Sequence, residues 1–292
     1  MSQVVSQQES PARPKVSVVI VAYECEAALR RCLTALDASQ DRANIEVLVV
    51  DAGSRDGCPR IDADFPGIQM LRLPRNFGRT RARNIGMRTA QSDLIFFLDP
   101  NVEVQPETVS ILAAALEATD AVTAAAPQLR DASGTTIVNS FSLPTPEALA
   151  EASLRGTPLP RVVPQNGVAE AVDEEAMIVR KSFLAGMNYL DEKRFSEHWS
   201  LLEVCWQIRN AGKQILVSQQ TFVVLNPSSR PVEDEQLYTA DRVSGASAFI
   251  AKHSGFGAGI SFKLKCFFSA LGSLKLGLAF SILSGSKLDP TQ

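Results

Sequence analysis

The period of apolar and polar positions changes several times along the chain, and each change marks an element. Residues 16–23 read VSVVIVAY, a continuous β-branched run, and IEVLVVD at 45–51 is a second. Between them Ala28, Leu29, Cys32, Leu33 and Leu36 recur at helical spacing. A strand with one wet face would alternate, so continuous runs predict strands buried on both faces. Strand, helix and strand in this order predict an α/β fold, a mostly parallel Rossmann-like sheet flanked by helices. IQMLRLP adds a short strand, NFGRTRARNIGMRTA a helix with Ala82, Ile85 and Ala90 on its apolar side, and DLIFFLD a further buried strand. Pro106 suits the first turn of a helix over PETVSILAAALEA, where its missing N–H would be unpaired anyway.

Between 127 and 172 no period is sustained and six prolines intervene, which predicts a long loop region over the sheet edge. Order resumes at EAMIVRKSFLAGMNYLDE. HWSLLEVCWQIRNAG reads as a helix stopped by Gly212, and QILVSQQTFVVLN as one or two strands. The expected organisation is a disordered lead-in at 1–14, one domain over 15–230, and a C-terminal helical extension over 231–292 entered through the acidic link PVEDEQ.

In the extension Phe267, Phe268, Leu271, Leu274, Leu278 and Ile282 recur at helical spacing, interrupted by Lys263, Lys265 and Lys275. No uncharged run reaches the roughly 18 residues of a spanning helix. Two readings stay open: an interfacial helix giving peripheral contact with an anionic membrane, or a helix packed back on the domain.

Composition narrows the partners. Apolar residues at 45% and charged residues at 21% are ordinary for a globular protein, and a net charge of -3 gives no support to nucleic-acid binding. Five scattered cysteines without a Cys-x-x-Cys pair suggest neither a zinc site nor a disulfide framework, and fit a reducing cytoplasm. The first fifteen residues lack the apolar core of a secretory signal, so a cytoplasmic protein is expected, at most at the inner face of the membrane.

Three stretches taken together resemble the family 2 glycosyltransferases with the GT-A fold, over roughly residues 15–230. They are VSVVIVAYECEAALRRCLTAL with VLVVDAGSRDG, then NFGRTRARNIGMRTAQSDLIFFLDPNVEV, then AMIVRKSFLAGMNYLDEKRF leading to EVCWQIRNAG. They look most like the rhamnosyltransferase-like branch. The resemblance implies a nucleotide-diphosphate sugar as donor and a glycan or lipid-linked acceptor. It implies that Asp51 accepts from the nucleotide base, with Tyr23 and Glu24 lining the same pocket. It also makes Asp99 the first acid of a DxD motif that holds magnesium or manganese against the diphosphate. Arg79, Arg81 and Arg83 crowd the turn entering a helix near the nucleotide face, and fixed guanidinium groups there can stabilise a departing diphosphate. Alternate residues on a helix cannot all face one ligand, so one of these arginines is expected at the site and the others in solvent.

Departures from the family pattern fall on its chemistry. Asn101 stands where the second acid of the motif belongs, so the divalent cation is expected to be weakly bound or absent. The acidic pair that supplies the family's general base aligns with Ser200 and Leu201, and leucine cannot accept a proton. Glu203 aligns with a later family acid, which leaves Glu197 as the substitute base. A solvated charge at a helix start is the plain alternative for Glu197, and His198 beside it is equally ambiguous. Where the family often carries a histidine after the last strand, this chain has Leu225 and Asn226. Two functions follow: a glycosyltransferase, or a catalytically degenerate relative acting as a nucleotide-sugar-binding or scaffold partner in polysaccharide assembly. A dehydrogenase is a poor fit, because VVDAGSRDG lacks the G-x-G-x-x-G phosphate turn.

Overall fold

A computed structural model describes residues 13–228 and 235–285. Most of the expected lead-in and most of the acidic link lie outside the described residues. The chain starts with β1 (Val16–Ala22), α1 (Glu26–Asp37), β2 (Ile45–Asp51) and β3 (Ile68–Arg72). It continues through α2 (Arg79–Thr89), β4 (Leu94–Leu98), β5 (Val102–Val104), α3 (Thr108–Glu117) and β6 (Val122–Asp131). Short elements follow: β7 (Thr136–Ile137), β8 (Ser140–Phe141), α4 (Pro146–Arg155), β9 (Val168–Ala169) and β10 (Ala171–Val172). Then come β11 (Ala176–Arg180), α5 (Lys181–Gly186), α6 (Ser200–Asn210) and β12 (Gln214–Leu225), and last α7 (Glu235–Ser254), α8 (Phe256–Gly272) and α9 (Leu276–Ser284).

The main sheet runs in the order β3-β2-β1-β4-β11-β6-β12-β5. Its first four strands are parallel, with Val16 opposite Ile45, Ala22 opposite Asp51, and Ile20 opposite Leu98. Beyond them β11 runs antiparallel to both neighbours, while β12 is parallel to β6. The parallel register has one consequence for function. The carboxyl ends of β1, β2 and β4 meet along a single edge, and open α/β sheets bind ligands at such an edge.

Alternate side chains of each strand feed different cores. Val18 and Ile20 pack with α1 and α3 on one face, where Leu29, Leu33, Leu112 and Leu116 are buried. Val19 and Phe97 pack on the other face with α2, α6 and the three C-terminal helices. Because both faces are covered, the strands carry apolar residues at consecutive positions, the pattern visible in the sequence.

Two regions differ from the sequence expectation. The stretch expected as loop contains α4, a helix of ten residues with Pro146 in its first turn, Thr145 accepting the Ala148 N–H at 3.3 Å, and Gly156 in the left-handed conformation at its end. Proline there starts a helix rather than interrupting one. The extension is three helices, and part of it packs back on the domain: Phe262, Cys266, Ala270, Leu278 and Ile282 are buried in the shared core, while a second face stays exposed. A buried ionic cluster fastens α7 to α6. Glu203 is 1% exposed and accepts from Lys252 Nζ at 2.7 Å and Gln207 Nε2 at 2.8 Å, with His253 Nε2 2.5 Å away. Trp206 stacks on that imidazole at 3.7 Å.

Candidate functional site

At the end of β2 Asp51 is 2% exposed, and its Oδ1 accepts the Ser54 N–H at 3.2 Å. Burial pushes its carboxyl up from the usual range, and the hydrogen bonds from Ser54 and Gly53 offset this only in part. Glu24 stands at the end of β1 in the left-handed region, φ 48°. Its N–H donates to Ser54 Oγ at 3.0 Å and its Oε1 accepts the Arg55 N–H at 2.7 Å, so the two loops are tied together. Gly53, φ 77°, permits a close approach, because a Cβ there would sit 2.6 Å from the Arg75 Cα. Tyr23 packs against Val21, Val50, Ala52 and Ala82.

The end of β4 adds the second acid. The Asp99 N–H donates to the Glu175 carbonyl at 2.8 Å, and Asp99 Oδ1 accepts from both the Asn101 N–H (2.9 Å) and its Nδ2 (2.8 Å). The other oxygen, Oδ2, faces Arg79 Nη1 at 3.6 Å.

Arg79 is the first residue of α2, and tertiary packing decides its surroundings. Gly78, φ 87°, lets the helix start press on the loop before α6, since a Cβ there would lie 2.5 Å from Ser196 Oγ. The Thr80 N–H donates to the Ser196 carbonyl at 2.9 Å. This contact brings Glu197 onto Arg79 twice: Oε2 accepts the Arg79 backbone N–H at 2.9 Å, and Oε1 lies 3.2 Å from Nε. Glu197 also donates its own N–H to Asp241 Oδ2 on α7 at 3.2 Å. Burial by itself would lower the Arg79 pKa, but Glu197, Asp99, Glu174 and Glu175 outweigh it and hold the guanidinium charged. The guanidinium is thus fixed at the helix N-terminus between two acids, and Glu197 already accepts the first backbone N–H of the helix.

The residues around Asp99 do not fit a preformed divalent site. Asn101 spends its amide N–H on Asp99, and its Oδ1 is buried without a hydrogen-bond partner among the described residues. The end of β12 does reach this point, but it brings Asn226, whose N–H donates to the Asn101 carbonyl at 2.9 Å and whose Nδ2 donates to Glu103 at 2.8 Å. One carboxylate opposed by a guanidinium gives a hard dication too little negative charge and too few oxygens.

Beside Arg79 opens a cavity of about 460 Å³, walled by Glu174, Glu175, His198, Trp199 and Arg242 among others. Glu174 accepts from Arg83 Nη1 at 2.9 Å and from the Trp199 N–H at 3.2 Å. Trp199 is left-handed, φ 72°, a conformation that is strained for a large side chain, and its Nε1 donates to the Arg242 carbonyl at 2.9 Å. Glu175 Oε2 and His198 Nε2 are buried and have no hydrogen-bond partner among the described residues. Burial, reinforced by the charges of Asp173 and Asp99, pushes Glu175 up to about 8. Burial lowers His198 to about 4 against the opposing pull of Glu197 and Glu174.

The Glu175 shift makes stability depend on pH. Its carboxyl has a reference value of 4.5 and holds its proton up to about 8 when folded, so the native state binds the extra proton between the two. Stability therefore falls as pH rises through that window. Glu175→Gln should remove part of this fall. The check is the melting temperature at pH 5.5 and 8.5, and an identical drop in both proteins would count against it.

Of the expected residues, Tyr23, Glu24, Asp51, Asp99, Asn101 and Arg79 stand along one sheet edge. Arg83 does not match its expectation: it is 4% exposed, 5.7 Å from the Phe97 ring centroid and bound to Glu174, so it shapes the cavity wall from below. Arg81 lies on the Phe77 ring at 4.5 Å. Glu197, expected as the substitute base, has both oxygens turned to Arg79. Leu201 is fully buried. Glu174 and Glu175 were missed by sequence reasoning; the only signal was the run VDEEA, three acids directly before a buried strand.

Comparison with known proteins bears on the family and the fold. The family model described as glycosyl transferase family 2 matches residues 17–184. The undecaprenyl-phosphate 4-deoxy-4-formamido-L-arabinose transferase of Aeromonas hydrophila is 34% identical over 115 residues, 37% of this chain and 35% of that protein. The pre-mycofactocin glycosyltransferase of Mycobacterium tuberculosis is 28% identical over 214 residues, 70% of this chain and 41% of that protein. The chain thus spans well under two thirds of the length of these relatives. Among solved structures, GalNAc-T7 with UDP, GalNAc and Mn2+ superposes with a TM-score of 0.60 at 17% identity, covering 84% of this chain and 50% of that one.

Proposed function

Because this chain belongs to glycosyl transferase family 2, we propose that it moves a sugar from a nucleotide-diphosphate donor to a hydroxyl of a glycan or lipid-linked acceptor, and that Arg79 supplies the fixed positive charge of the site. The observation that carries this reading is the guanidinium held 3.6 Å from Asp99 and 3.2 Å from Glu197 at the start of α2, beside the cavity. The nucleotide base lies against Tyr23 and Asp51, with Glu24 bracing the loop. The diphosphate lies over the N-terminus of α2, and the acceptor enters the cavity. The acceptor oxygen attacks the anomeric carbon, the bond to the diphosphate breaks, and the diphosphate leaves with the electron pair. Arg79 stabilises the charge that develops there. Glu197 orients Arg79, and the acceptor proton passes to Glu175 in its ionised form, which prevails only above about pH 8, so transfer should rise as pH rises through that value. The lipid-phosphate relative and the UDP held by the structural neighbour support these partner classes, and within the family the three motifs look most like the rhamnosyltransferase-like branch.

The manganese in that neighbour supports a divalent ion accompanying the donor, whose phosphates would complete its ligands. In this chain Asp99 and Asn101 would hold it, weakly, because Arg79 already opposes the one carboxylate. Asn101→Asp should strengthen manganese binding, since a second carboxylate adds attraction for a hard cation at little cost in volume. Manganese titrations of both proteins with UDP present check this, and equal affinities would contradict it.

Asp51→Ala should weaken nucleoside diphosphate binding by about 1–3 kcal/mol, the cost of leaving a buried donor of the base unpaired. Calorimetry across a panel of nucleoside diphosphates is the test, and unchanged affinity would remove Asp51 from the pocket. The degenerate scaffold reading keeps one observation in its favour, Leu201 buried at the position of the family's base. Nucleotide binding without any donor hydrolysis or transfer would select it.

A further inference from the structure

Among the described residues, nine of the eleven exposed large apolar side chains lie between Phe256 and Leu283, on α8, α9 and the turn between them. Leu274 is 87% exposed, Phe256 77% and Phe280 73%, with Leu276, Phe268 and Leu283 beside them in sequence or one turn away. Soluble surfaces scatter such residues singly, so a concentration on one hairpin marks an interaction face. The turn between the two helices adds an independent observation. Leu274 takes the left-handed region, φ 58°, which costs strain for a leucine and is spent on an apolar side chain standing almost wholly in water.

Charge points to the occupant. Residues 256–284 contain three lysines, Lys263, Lys265 and Lys275, and no acidic residue. Lys265 and Lys275 border a groove of about 430 Å³ between α4 and the hairpin, together with Arg155, whose charge is already met by Glu151 in the same wall. The nearest acid to Lys265 is Glu147 at 3.8 Å, with both side chains well exposed, a weak pair at most. A second copy of the chain would set these lysines against one another across a twofold interface. An anionic bilayer satisfies both features at once, taking the apolar ridge among the acyl chains and the lysines at the headgroups. No helix among the described residues is long and apolar enough to cross a membrane, so the hairpin lies on a bilayer rather than through it.

We propose that the α8–α9 hairpin is a docking surface for anionic lipid membranes. The opposite face of the hairpin packs on α7 and α4, which also contribute Arg242, Ala152 and Gly156 to the cavity wall. Docking therefore holds that cavity near the lipid surface. This last consequence rests on the transferase reading, whereas the docking itself does not.

The test is co-sedimentation of the full chain, without donor or acceptor, with vesicles of phosphatidylcholine alone and with a third of the lipid replaced by phosphatidylglycerol. Binding to the anionic vesicles is expected. Leu274→Ser with Leu276→Ser and Phe280→Ser should abolish it, while the melting temperature stays unchanged because these side chains are exposed. Lys265→Glu with Lys275→Glu should weaken it by at least about fivefold for each charge, since one cation near such a surface is worth roughly 1 kcal/mol. Absence of binding overturns the proposal. Equal binding to both vesicle types overturns the anionic assignment, and a dimer abolished by the serine substitutions assigns the face to a second copy. Nucleoside diphosphate affinity, measured on the same samples, tells a failure of docking apart from a failure of the transferase reading.

Discussion

Arg79→Ala should lower sugar transfer by about 10²- to 10³-fold in kcat, the loss that follows removal of one preorganised group that stabilises charge in the transition state. Two further arginines line the cavity, but Arg242 donates to the Ser153 carbonyl and to Thr239, and Arg161 pairs with Asp173. Arg83 is committed to Glu174 beneath the wall, and Arg81 lies on Phe77. The substitution also leaves Glu197, 2% exposed, without its counter-ion, so the variant's melting temperature must be recorded beside its rate. Arg79→Lys separates the two effects. It keeps the charge, yet one ammonium cannot span from Asp99 to Glu197 as the guanidinium fork does, so an intermediate rate is expected. Glu197→Gln should lower kcat by about tenfold while leaving the pH-rate profile in place, because its role is to orient Arg79 rather than to accept a proton. Turnover of Arg79→Ala at the wild-type rate would show that the charge comes from elsewhere. A pH profile that changes in Glu197→Gln would restore Glu197 as the base.

Glu203→Ala should destabilise the fold by about 3 kcal/mol, the lower end of the cost of removing one partner from a buried ion pair. The lower end applies because Lys252 is 31% exposed and regains water, whereas His253, at 8%, keeps little hydration and loses its only carboxylate contact described. Since Lys252 and His253 are on α7, the damage should spread to the packing of the whole helical extension. Urea unfolding measures it, as a lower midpoint with an unchanged slope. Glu203→Gln, which keeps the bond from Gln207 within reach, should cost less. A midpoint unchanged in Glu203→Ala would mean that apolar packing of α7 alone holds the extension.

The site was legible in parts that differ in kind. Asp51 and Asp99 could be placed at strand ends because the strands announce themselves as uninterrupted apolar runs, and a carboxylate at the end of such a run is a local feature. The crowding of arginines at the start of α2 was visible too, but not which of them reaches the site. Helical spacing places Arg79 and Arg83 on the same side of α2, one turn apart. What separates them is their partners: Arg79 faces Asp99 and Glu197 beside the cavity, whereas Arg83 is buried against Glu174, Ser200 and Phe97.

The sequence by itself determined the alternation of strands and helices, and the sheet edge where the strand ends carrying Asp51 and Asp99 converge. Periodicity and strand-end chemistry act between neighbours in the chain, so they can be read from it directly. Tertiary structure alone decided that Glu197 clasps Arg79 from 118 residues away, and that Glu174 and Glu175 wall a cavity. It also decided that α4 lies within a proline-rich stretch, and which face of α8 and α9 is left in water. Each of these depends on which surfaces pack together, and burial, not local preference, sets the charge state and the partner of every group involved.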